Sequence, residues 1–122
     1  MTRTGDALVN NAGGNFDFMH PVLGSDLDHV PAIVDADRYG VWRVANAFLP
    51  LVQASPAGRI VNVTSEAGSF GAAQGLPHQG DHLAGYAVAK AAQNAYTVEL
   101  AGALADDGPP GGFFCDGQPL TW

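Results

Sequence analysis

Gly85-Tyr-Ala-Val-Ala-Lys90 constrains this chain more than any other stretch. It opens a long Ala-rich segment, free of Pro and rich in helix formers, so a helix is expected over 84–105. On that helix Tyr86 and Lys90 stand at i and i+4 and share one face, about 6 Å apart along the axis. A free phenol holds its proton up to about pH 10. A nearby ammonium favours the phenolate, which lets such a tyrosine trade protons near neutral pH. Surface helices also carry Tyr/Lys pairs with no role, so the pair gains meaning only from its surroundings.

Upstream, Gly58-Arg-Ile-Val-Asn-Val-Thr-Ser65 is a β-branched run ending in hydroxyl residues, which reads as a buried strand at Arg59–Val63 reaching a loop. Further upstream, Ala7-Leu-Val-Asn-Asn-Ala-Gly13 is a second apolar run, with a strand at Ala7–Val9 that stops at Asn-Asn-Ala-Gly. Between them Ser25-Asp-Leu-Asp28 looks like a helix start with Ser25 as N-cap, and Pro31 is expected to interrupt or kink it. From Asp37 to about residue 54 the pattern is helical. Val41, Val44, Ala45, Phe48 and Val52 recur at three and four, and Ser55-Pro-Ala-Gly58 ends the run. Trp42 and Phe48 read as core or interface residues.

Asn-Asn-Ala-Gly, then a strand ending in Ser, then Tyr-x-x-x-Lys resembles the short-chain dehydrogenase/reductase family, and the likeness covers nearly the whole chain. The resemblance implies an α/β fold: a partial doubly wound, Rossmann-like parallel sheet with flanking helices. It implies Tyr86 as general acid/base, Lys90 supporting it and holding the nicotinamide ribose, and Ser65 hydrogen-bonding the substrate carbonyl. Asn10, Asn11, Ala12 and Gly13 would border the cofactor, NADP(H) or NAD(H). The family's fourth catalytic residue is an Asn, and Asp37 stands at that position here. Its charge close to Lys90 would offset the positive field acting on Tyr86. The twenty residues from Glu66 to Gly85 make a long Gly-rich loop, which resembles the carbonyl-reductase branch. The helices 37–54 and 84–105 match the pair through which family members dimerise; an apolar helix face also serves an ordinary α/β core.

The 122 residues fit one domain, with the motifs in 1–107 and a tail over 108–122. The family would place three strands and a Gly-rich phosphate turn before Ala7, yet no Gly-x-x-x-Gly-x-Gly occurs in this sequence. The tail has two readings. Cys115-Asp116-Gly117 falls at the spacing of a family Pro-Gly that meets the carboxamide. Gly-Gly-Phe-Phe, an Asp, a Pro and a terminal Trp instead match the C-terminal segment of carbonyl-reductase-like members, as after an internal deletion. The second shares more residues. A partial sheet with open edges is expected to be marginally stable when alone.

A net charge of −7 argues against nucleic acid or an anionic membrane as partner. No apolar run approaches the ~20 residues of a membrane span, and the N-terminus lacks a signal-peptide pattern. The single Cys115 suits a reducing cytoplasm. His78 and His82 lie four apart beside Asp81, but Pro77 and Gly80 oppose a helix and no third ligand follows, so no metal is expected. His20 and His29 carry no signature. Two functions from different classes follow: an oxidoreductase acting on a small carbonyl or alcohol, and a non-catalytic fragment or helix-mediated interaction module. Response to a nicotinamide cofactor separates them.

Overall fold

A computed structural model of the chain describes residues 3–13, 23–24, 27–28, 30–73, 84–104, 111–115 and 118–120. The Ser25 cap, the four histidines with Asp81, and Asp116-Gly117 lie outside the described residues.

Two short apolar runs become strands β1 (Ala7–Asn10) and β2 (Arg59–Asn62), paired in parallel with Ala7 opposite Arg59 and Asn10 opposite Asn62. Parallel strands need a crossover, and the helical stretch between them supplies it. It starts as α1 (Val30–Val34), continues as a π-helical segment (Asp35–Gly40), and runs on as α2 (Val41–Gln53). Pro31 does not break α1. It lies in the first turn, where its missing N–H has no intrahelical partner to lose. After β2 come a 3-10 turn (Glu66–Gly68), the short α3 (Phe70–Ala73) and the long α4 (Ala84–Leu104). The tail forms a small antiparallel pair, β3 (Phe114–Cys115) and β4 (Gln118–Pro119).

The sheet ends are tied to the crossover. Gly5 N–H donates to Leu51 O at 3.0 Å, Arg59 N–H to Asp6 O at 2.9 Å, and Ser55 Oγ–H to Asp6 Oδ1 at 2.7 Å. The apolar core is small: Val41, Ala45 and Tyr96, with Leu8 and Leu100 packed against them. The stripe expected on α2 is therefore narrower than its sequence suggests. Val41, Ala45 and Val52 are buried, whereas Val44 and Phe48 are exposed. Trp42 is also 42% exposed, although its ring stacks on Tyr96 at 5.0 Å between centroids. None of the described helices is long and apolar enough to cross a membrane.

α4 buries a face unlike the Ala/Leu stripe its composition suggests. The buried residues are Gly85, Tyr86, Ala89, Lys90, Gln93, Asn94 and Tyr96, a mostly polar set at three-, four- and seven-residue spacing. That face meets the strand ends and the π segment, so the fold converges there.

Tyr96 Oη is buried with no hydrogen-bond partner among the described residues, and burial holds its phenol above the ordinary value of 10.0. The raised value means the fold favours the neutral phenol, so that contribution is intact below about pH 10 and lost as pH rises through the folded pKa. Tyr96→Phe keeps the ring on Trp42 and removes the orphaned hydroxyl. It should raise unfolding free energy by about 1 kcal/mol in urea titrations. The same variant should lose less stability than wild type in titrations repeated above about pH 10.

Candidate active site

Four chain segments meet around Lys90. α4 is helical through its first turns, so Tyr86 and Lys90 face the same way, and Lys90 Nζ lies 5.6 Å from the Tyr86 ring centroid. The π segment presents Asp37, its one buried residue, toward the same point. Segments of this kind recur at functional sites because the extra residue per turn re-aims one side chain. Asp37 Oδ2 stands 3.5 Å from Lys90 Nζ, and both side chains are nearly inaccessible. At that separation the contact is an ion pair without hydrogen-bond geometry, and Oδ2 has no hydrogen-bond partner among the described residues.

β1 brings the third segment. Asn10 is buried and donates from Nδ2 to Asn62 Oδ1 at 2.8 Å, tying the two strand ends side by side. Asn11, Ala12 and Gly13 follow as an exposed extension. A Cβ on Gly13 would stand 3.1 Å from Lys90 Nζ and 3.2 Å from Asp37 Oδ1. The bare glycine backbone thus leaves a narrow space against the ion pair.

β2 brings the fourth. Thr64 Oγ1–H donates to Asn94 Oδ1 at 2.7 Å, so this hydroxyl is committed to α4. Ser65 caps the 3-10 turn, accepting from Ala67 N–H at 3.2 Å, which leaves its own hydroxyl proton available to donate. That turn presses on α4 beside Lys90: a Cβ on Gly68 would fall 2.5 Å from the Lys90 carbonyl carbon. Ser69, which follows, is buried.

The expected residues therefore divide by place. Tyr86, Lys90, Asp37 and Gly13 gather around one point, and the Ser65 turn abuts the same stretch of α4. Asn10 serves the strand pairing, while Asn11 and Ala12 remain at the surface. Sequence reasoning missed Gln93 and Asn94. Gln93 is fully buried, accepts from Lys90 Nζ at 3.0 Å, and donates from Nε2 to Val63 O at 2.9 Å. Their signal was available: 86, 90, 93, 94 and 97 lie on one helical face. No group of three or more metal-ligating side chains occurs among the described residues.

A model of the short chain dehydrogenase family matches residues 2–108. The chain belongs to that family. It is 36% identical over 103 residues to a 3-oxoacyl-[acyl-carrier-protein] reductase from Synechocystis, a match covering 84% of this chain and 38% of that protein. The chain thus spans well under half the length of this short-chain dehydrogenase relative. A short-chain dehydrogenase from Escherichia coli CFT073 is similar in structure, with a TM-score of 0.65 and 26% identity over 82% of this chain and 40% of that one. A carbonyl reductase from Pseudomonas aeruginosa shares the fold, with a TM-score of 0.67 and 24% identity over 84% of this chain and 42% of that one. The α/β architecture implied by the family resemblance is the one observed. The tail from 111 to 120 falls beyond the family match.

The Asp37–Lys90 pair is deeply buried, and removing one member of such a pair strands the other. Lys90→Met should lower unfolding free energy by about 3 kcal/mol. Adding Asp37→Asn to Lys90→Met should recover much of that loss, which a double-mutant cycle in urea measures directly.

Proposed function

We propose that this chain carries the proton-handling part of an NAD(P)(H)-dependent oxidoreductase that interconverts a small carbonyl compound and its alcohol. The observation that supports it is the buried ammonium of Lys90 beside the Tyr86 ring, with a carboxylate, a bare glycine backbone and a serine-capped turn around the same stretch of α4. The 36% identity to a 3-oxoacyl reductase supports carbonyl reduction as the direction. The long loop before Tyr86 favours a carbonyl-reductase-like substrate range, with NADP(H) preferred over NAD(H).

The groups present suit the sugar end of such a cofactor. Asp37 Oδ2 is an acceptor with no donor among the described residues, and Lys90 has three N–H groups of which Gln93 takes one. The cradle that a Gly13 side chain would fill lies against both. Lys90, Asp37 and the Asn11–Gly13 extension would hold the ribose by its hydroxyls. The nicotinamide, when bound, exchanges the hydride. Tyr86 Oη gives its proton to the carbonyl oxygen in reduction and takes it back in oxidation. Lys90 stabilises the phenolate that this leaves, and the Ser65 hydroxyl donates to the same carbonyl oxygen as negative charge gathers on it. Asp37 sits at the family's Asn position, and its charge opposes that of Lys90, so it moderates the relay.

A second reading rests on a sequence fact: the chain has no Gly-x-x-x-Gly-x-Gly turn for the pyrophosphate. In that reading the fold is kept as a non-catalytic interaction module, its face formed by α2 and α4. A self-pairing of that helix face belongs to either reading.

The test adds NADPH to the chain, alone and mixed with a separately expressed nucleotide-binding half of a family member, and follows nicotinamide fluorescence and carbonyl-dependent NADPH consumption. Consumption is expected in the mixture, falling about a hundredfold or more in Tyr86→Phe and rising in Asp37→Asn. No cofactor response in either format, or turnover that survives Tyr86→Phe, would overturn the redox reading in favour of the module.

A further inference from the structure

Lys90 is the only lysine in the chain, and it is 4% exposed. A flexible four-carbon stem ending in a strongly hydrated point charge does not choose one place by itself. Asp37 supplies the countercharge but at 3.5 Å, without a directional hydrogen bond. The only short, directed contact to Nζ among the described residues is Gln93 Oε1 at 3.0 Å.

Gln93 is in turn fixed from the other end. Its Nε2 donates to Val63 O at 2.9 Å, and the Val63 N–H donates to Asn10 O, also at 2.9 Å. A continuous hydrogen-bonded line therefore runs from the end of β1, across the end of β2, through one carboxamide, to the ammonium. An amide is suited to this place because it offers an acceptor to the lysine and a donor to a backbone carbonyl at once. A carboxylate lacks the donor, an aliphatic side chain lacks both, and Asn is one methylene short.

We propose that Gln93 is a positioning residue for Lys90: its carboxamide transmits the register of the two strands to the ammonium and fixes Nζ between Asp37 and the Tyr86 ring. Gln93 touches neither substrate nor cofactor. Its relevance to hydride transfer rests on the redox reading above; its hold on the lysine does not.

The test exploits the lysine's uniqueness. Lysine-labelled chain, with 13Cε and 15Nζ, gives one side-chain ammonium signal, and labelled glutamine adds the Gln93 13Cδ. In the wild type a coupling across the hydrogen bond from Lys90 Nζ to Gln93 Cδ is expected. In Gln93→Leu, exchange of the Nζ protons with solvent should quicken about tenfold, the scale of one lost charge-assisted hydrogen bond. Thr97→Val is the structural control. It removes another β2–α4 link, Asn62 Nδ2–H to Thr97 Oγ1 at 2.9 Å, together with the Thr97 hydroxyl's bond to the Gln93 backbone carbonyl, without touching the lysine or the Gln93 carboxamide, and should leave that exchange unchanged. Equal quickening in Thr97→Val would mean that Gln93 merely glues helix to strand, and overturns the proposal. So does wild-type exchange in Gln93→Leu, or an absent coupling in the wild type, which decides the matter even where Gln93→Leu fails to fold. The readout uses neither cofactor nor substrate, so failure of the redox assay and failure of this proposal are separate results.

Discussion

A single buried positive charge organises this structure. Taking an ammonium out of water costs several kcal/mol even after relaxation, and the cost is offset only where countercharge and hydrogen-bond acceptors are already in place. Here the countercharge comes from the π segment, the acceptor from α4 itself, and the close approach from a glycine after β1. No one of these segments is near Lys90 in sequence except Gln93. The charge is tolerable only once β1, the crossover and α4 have docked, so the ion pair selects the assembled arrangement over looser packings of the same elements.

The rest of the α4 interface follows the same logic. The apolar core of Val41, Ala45 and Tyr96 is small, and Val9, Val61 and Val63 are left substantially exposed. What fixes the helix against the strands is a ladder of side-chain bonds: Gln93 to Val63 O, Thr64 to Asn94, and Asn62 to Thr97, which also bonds back to Gln93 O. Apolar contact is indifferent to a shift of one residue. A ladder of paired donors and acceptors is not, because a slip would bury several of them unmatched. Polar groups therefore set the position of Tyr86 and Lys90 relative to the strand ends. By contrast the Arg43–Asp35 pair, with both side chains mostly in solvent, adds little.

Much of this was legible from residue order. A short apolar run and a β-branched run became two strands, within a residue of the expected ends, and an uninterrupted Ala-rich stretch became α4. The pairing of Tyr86 with Lys90 follows from helical spacing alone. The parts that were not legible have physical reasons. A π segment differs from an α-helix by one backbone hydrogen-bond shift, for which the sequence Asp35-Ala-Asp-Arg-Tyr-Gly40 has no composition signal, yet it aims Asp37. Apolar periodicity, applied to α2, predicts a wider buried stripe than one small sheet can cover, so Val44 and Phe48 are left outside. Applied to α4, it directs attention to Val98, Leu100 and Leu104 and away from Gln93 and Asn94. A polar residue on a buried face is informative because burial without a partner is costly, but periodicity counts it as a gap.

The same charge balance bears on how a dinucleotide would be shared. Lys90 and Asp37 together are neutral, and the whole chain carries −7, so a cofactor's phosphates gain no net attraction from this site. In α/β folds such phosphates are held instead by backbone N–H groups of a Gly-rich turn at a helix N-terminus. No such turn is spelled in these 122 residues. Under the redox reading, then, the groups around Lys90 contribute orientation of the sugar and the reacting carbon, and the affinity for the phosphates must originate in another segment. Hydride transfer tolerates that division, because the rate depends on where the reacting atoms lie, while the binding energy that holds them can be supplied elsewhere on the cofactor.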